Sequence, residues 1–160
     1  GKEAEGAVFS VGAIGLGLFL LVYCVGHIGY LSLYATWMAI YVVLCVVLCD
    51  LAAHVFNSRE RPSLQSIALQ LLVPAPATVV LGLALMPWTG IPKIHTVALA
   101  LMIPACVAIG CHTIVHLEAD LHIDRGRSRP GRGEVINCLK SFLYAGPVAF
   151  HYLRYSLEAF

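Results

Sequence analysis

Charge is what this sequence most lacks. Lys, Arg, Asp and Glu make up 12% of its 160 residues, against 59% hydrophobic residues. Soluble domains carry about a quarter of their residues as charge. The mean hydropathy is +0.83. A small globule is mostly surface, so a water-soluble fold of this length cannot hide that much apolar side chain. Lipid can accommodate it.

The shortage is also uneven. No Asp, Glu, Lys or Arg occurs between Glu5 and Asp50, between Arg61 and Lys93, or between Lys93 and Glu118. A membrane-crossing helix needs about 20 predominantly apolar residues. The first gap holds two such helices and each of the others holds one. A cleaved signal peptide would be shorter and stand alone. The net charge of +1, without basic–aromatic interleaving, points to no nucleic-acid partner. There is no C-x-x-C pair, no glycine-rich phosphate loop and no internal repeat. Cys24, Cys45, Cys49, Cys106 and Cys111 fall in apolar runs and Cys138 in the tail. They read as small hydrophobes rather than as a zinc or thioredoxin-like site.

What is present predicts an all-α integral membrane bundle forming a single domain over 1–160. Four transmembrane helices are expected at about 7–26, 34–56, 64–86 and 94–117. Gly26-His27-Ile28-Gly29 reads as a hairpin, Asn57 to Ser63 as a polar turn, and Pro87 to Lys93 as a tight loop. Trp88 fits an interfacial anchor. Pro74, Pro76 and Pro104 fall inside spans, where neighbouring helices can satisfy the carbonyls that proline frees. A basic loop follows at 122–134, with Arg125, Arg127, Arg129 and Arg132. The tail at 135–160 reads as an interfacial amphipathic helix broken near Gly146-Pro147, with a fifth span as the alternative. With four spans, Lys2, Arg59, Arg61 and the arginine loop share one side, which the positive-inside rule makes the cytoplasm or mitochondrial matrix.

Seven histidines are the anomaly in so apolar a chain. Polar groups in lipid are expensive and tend to face a partner or cofactor. His112, His116 and Asp120 are spaced four apart and share a helical face. Such a face suits axial ligation of a haem or a nonhaem metal site of imidazole and carboxylate. Placement at the membrane interface, against water or a partner subunit, also accounts for it. Asp50 and His54 form a second four-spaced pair, read as an interfacial hydrogen bond. His27 reads as a hairpin residue and His95 as the start of the fourth span.

The fourth span also carries a resemblance. Ile94-His95-Thr96, then Ala98-Leu99 and Pro104, followed by His112-Thr113-Ile114-Val115-His116-Leu117 and Asp120-Leu121, resembles the second membrane helix of the cytochrome b subunit of succinate dehydrogenase. That family reads H-T-x-N-G-I-R-H-L-x-W-D-L at the corresponding helix end. Its Asn-Gly pair and its arginine before the second histidine are absent here. The resemblance implies a membrane-anchor subunit of respiratory complex II in the mitochondrial inner membrane, with other subunits and lipids as partners. It implies b-type haem with His112 on the iron and His116 near the propionates. It also implies ubiquinone, with Thr78 and Asp120 as candidate contacts. Three other functions compete: a cofactor-free structural subunit of a large membrane assembly, a small His/Asp metal-dependent membrane enzyme, and a transporter.

Overall fold

In a computed structural model of the chain, residues 2–56, 64–120 and 132–157 are described. The polar turn at 57–63, the basic loop up to residue 131 and the last three residues lie outside them. Six helices follow in order: α1 Lys2–Tyr34, α2 Thr36–Phe56, α3 Leu64–Leu72, α4 Pro74–Thr89, α5 Lys93–Asp120 and α6 Arg132–Leu157. No strand occurs among the described residues. The expected all-α bundle is therefore present. Four segments are long and apolar enough to cross a membrane: Gly17–Tyr34, Thr36–Ala53, Ile67–Thr89 and Lys93–Gly110.

The expected hairpin at Gly26-His27-Ile28-Gly29 is not there. α1 runs through both glycines and ends at Tyr34, so Ala35 alone separates it from α2. Glycine costs a helix about 1 kcal/mol relative to alanine. An unsatisfied backbone group in lipid costs several, so the helix continues. The corner is held by hydrogen bonds on both sides. Ala35 N donates to Leu31 O at 2.8 Å and Ala39 N to Ala35 O at 3.0 Å. The Thr36 hydroxyl donates back to Ser32 O at 2.9 Å.

The third span is two helices, because Pro74 and Pro76 have no N–H to carry α3 onward. Pro74 instead opens α4, where a missing donor costs nothing. Val73 N still bonds Leu69 O at 3.0 Å, so the chain kinks rather than leaving the bundle. α4 passes through Pro87, which the sequence assigned to a loop, and stops at Gly90. Gly90 has φ of 67°, a left-handed conformation that costs glycine little, and its N–H returns to Met86 O at 3.0 Å.

α2 is the central helix. It packs against α1, α4, α5 and α6. Its Tyr41, Val42, Cys45 and Val46 are fully buried, with Leu99 and Ile103 of α5 and Ala145, Ala149 and Leu153 of α6. Pairings fix the directions. Trp37 meets Trp88, Gly82 lies against Tyr41 and Thr96, and His95 meets Tyr152. Successive spans therefore alternate in direction, with α3 and α4 together making the third, and α6 runs antiparallel to α5. The tail is thus neither broken at Gly146-Pro147 nor spread on a surface. It is one helix docked in the bundle. A Cβ at Gly146 would come within 3.0 Å of Cys24 O, so this glycine lets α6 approach the α1 backbone. The docking also carries Arg154 to the end of the bundle that holds Lys93.

Exposed Tyr30, Tyr34, Trp37, Trp88 and Tyr155 gather at that same end. Their placement matches an aromatic belt at a membrane–water boundary. α1, with 33 residues, is about 50 Å long at 1.5 Å rise. That exceeds a hydrocarbon core of about 30 Å. Val11, Leu18, Phe19 and Val22 of α1 are exposed.

Candidate functional site

The backbone of α5 carries His112, His116 and Asp120 in unbroken helix, which keeps the four-residue spacing on one face. His112 is half-buried, and its Nδ1 is shielded from solvent. The side chains of His116, Asp120 and His54 lie outside the described residues. These positions sit at the end of the bundle where α5 leads toward the basic loop.

Thr78 lies elsewhere. It is fully buried between α4 and α5, and its hydroxyl is engaged with two carbonyls, Ala75 O at 2.8 Å and Ala100 O at 2.9 Å. The second contact has a clear cause. Pro104 stands four residues after Ala100 and has no N–H, so the helix leaves the Ala100 carbonyl without its own donor. Thr78 supplies that donor across the helix interface, its single proton shared between Ala100 O and Ala75 O. From Ala100 to His112 is three turns of α5, about 18 Å. Thr78 and His112 are therefore not brought into one site, and the Thr78 proton is committed to helix packing.

One helical turn beyond Thr78, the same seam is filled tightly. A Cβ at Gly82 would collide with Thr96 Cγ2 and the Tyr41 hydroxyl. Tyr41 Oη donates to Thr96 O at 3.3 Å, and Thr96 Oγ1 to Pro92 O at 3.2 Å. No space for a macrocycle remains between α2, α4 and α5 at this level. On the other side of α2, Ser141 of α6 donates to Asp50 Oδ1. This tie joins α2 to α6 and gives Asp50 a role that its pairing with His54 did not foresee. Cys24, Cys45 and Cys49 are buried, in keeping with their reading as small hydrophobes.

A group of histidines and aromatics at the Lys93 end was not assembled by the sequence analysis. His27 Nδ1 donates to Tyr23 O at 2.7 Å, because a carbonyl only accepts. Its ring is 5.2 Å from that of His151 and 4.9 Å from that of Phe150. Tyr23 packs edge-on to His27 at 4.3 Å, and Tyr155 stacks on His151 at 6.1 Å. His95 Nδ1 and Tyr152 Oη share a hydrogen bond of 2.9 Å. His27 is thus a packed helix residue, not a hairpin residue, and His95 ties α5 to α6. The legible signal was the four-residue spacing of Tyr23 with His27 and of His151 with Tyr155. Beside them an open groove of about 450 Å³ runs between Met102 of α5 and Pro147, Val148 and His151 of α6.

Among the described residues, no three His, Cys, Asp or Glu side chains come close enough to hold a metal ion together. A b-type haem needs imidazole and a flat cleft. The one sequence-predicted imidazole that is described, His112, could offer a single axial nitrogen. The other described histidines, His27, His95 and His151, lie at the far end of the bundle. A second axial ligand would have to come from outside the described residues or from another subunit. Comparison with family models, characterised proteins and solved structures finds no match to this chain. The chain is an all-α bundle with four helices able to cross a membrane, compatible with a multi-pass membrane protein.

Proposed function

We propose that this chain is a membrane-anchor subunit of a respiratory-chain complex. In its most specific form it is a divergent anchor of succinate dehydrogenase, complex II, in the mitochondrial inner membrane. The reading rests on α5, whose sequence resembles the anchor's haem-bearing helix. The observation that carries it is the half-buried His112 near the end of an apolar helix. Such a ring is expensive in lipid and is retained for a partner or cofactor. His112 would supply one axial imidazole to a haem, with His116 beside the propionates. A bound haem would supply one-electron transfer. Ubiquinone would meet the chain near Asp120, since the Thr78 hydroxyl is occupied by Ala100 O. Partner subunits would deliver the electrons, and this chain would contribute binding and electrostatics.

A second reading, a cofactor-free structural subunit of a large membrane assembly, is favoured by the tightly filled Tyr41–Gly82–Thr96 seam. The exposed apolar face of α1 also fits it, since such a face can pack against other subunits. A dithionite-reduced minus oxidised absorbance spectrum of the gently solubilised protein, with its co-purifying partners, separates the two. A b-type band lost in His112→Ala supports the haem-bearing anchor. Partners present without a band support the structural subunit.

A further inference from the structure

We propose that His27 of α1 and His151 of α6 form a two-imidazole site for zinc or a similar divalent transition ion, at the Lys93 end of the bundle. This goes beyond the anchor reading and does not depend on it.

The spacing of the rings is the first argument. A zinc–nitrogen bond of about 2.0–2.1 Å puts the ion about 3.2 Å from the centre of each imidazole ring. Two imidazoles whose free ring nitrogens converge on one ion at the tetrahedral angle have centres about 5.2 Å apart. A right-angled pair would need about 4.5 Å and a linear pair about 6.4 Å. The observed separation is 5.2 Å, with the rings inclined by 56°.

Tautomer is the second argument. His27 donates Nδ1–H to Tyr23 O at 2.7 Å, so its neutral ring carries the lone pair on Nε2. Histidines that bind metal are typically oriented in this way, with the other ring nitrogen held by a carbonyl or carboxylate. His151 is half-buried and borders the open groove.

The surroundings are the third. Tyr23 and Phe150 fix the His27 ring edge-on, and Tyr155 stacks on His151. Both imidazoles are therefore held in orientation by aromatic neighbours before any ion arrives. No third His, Cys, Asp or Glu joins them among the described residues. Two of four tetrahedral positions would be left to water or an anionic ligand, which makes the site exchangeable rather than structural. An ion here would link α1 to α6, two helices far apart in sequence.

The test uses the full chain, without an affinity tag that contains histidine, in detergent micelles. Zinc is titrated by calorimetry, and cobalt(II) is titrated as a visible-absorbance probe of geometry. The expected result is one ion per chain and the intense cobalt spectrum of tetrahedral coordination. His27→Gln and His151→Gln should each weaken binding by at least about tenfold. His95→Gln, whose ring is bonded to Tyr152, should leave it unchanged. Absence of binding to the unaltered chain, or the weak spectrum of octahedral cobalt, would overturn the proposal. So would binding indifferent to both substitutions. If either variant fails to fold, the cobalt spectrum of the unaltered chain still decides.

Discussion

Replacing Thr78 by Val should destabilise the bundle by about 1–3 kcal/mol, the cost of leaving a buried acceptor unpaired. Valine keeps the shape and removes only the hydroxyl, so packing is nearly unchanged. What is lost is the donor to Ala100 O, a carbonyl that Pro104 deprives of its own helical partner. Hydrogen bonds between membrane helices average about 0.6 kcal/mol and reach about 1.7. This one should sit toward the upper end, because no alternative donor is built into α5 for that carbonyl. A double-mutant cycle isolates this contact. Pro104→Ala restores an N–H four residues after Ala100. In that background Thr78→Val should cost less than in the parent by about 1 kcal/mol. The assay is reversible unfolding in mixed micelles, read by helical circular dichroism. Equal costs in both backgrounds would show that Thr78 does not serve the proline-freed carbonyl.

Three further outcomes follow from the packing. Gly82→Ala should destabilise by about 1–3 kcal/mol, since its Cβ meets Thr96 and the Tyr41 hydroxyl. Tyr41→Phe should recover part of that loss in the same unfolding assay. Ser141→Ala removes the donor to Asp50 Oδ1 and should loosen α6 from α2. Hydrogen exchange in α6 should accelerate, with about 1–2 kcal/mol lost overall. Gly15 has open space around it, so Gly15→Leu should leave the isolated chain folded. If α1 packs on a partner subunit at that face, the same substitution should reduce co-purification of that subunit.

The helices were legible because lipid sets a simple rule. Charge-free runs of about 20 residues must be helical, and the gaps from Glu5 to Asp50, Arg61 to Lys93 and Lys93 to Glu118 located them. The Gly26–Gly29 segment misled for a related reason. Its glycines would favour a turn in water, whereas in an apolar setting the backbone keeps its own bonds. The tail misled because α6 is less apolar than the other long helices, and its docking depends on Ala145, Ala149 and Leu153 meeting α2 and α5. The freed carbonyl at Pro104 was foreseen as a class of problem. Its partner was not, because Thr78 stands 22 residues away on another helix. The His27–His151 pair was invisible for the same reason. Only the antiparallel return of α6 places one beside the other. His112 and Asp120 were readable as a face from spacing alone, yet spacing says nothing of what covers that face.

The most direct test of the anchor reading is the company the chain keeps. Source membranes are solubilised in a mild detergent, resolved by native electrophoresis, and each band is assayed for succinate–quinone reductase activity and for flavin. The chain is expected to migrate with the flavin- and iron–sulfur-containing subunits in the active band. Migration alone, or in a complex without flavin, would contradict it.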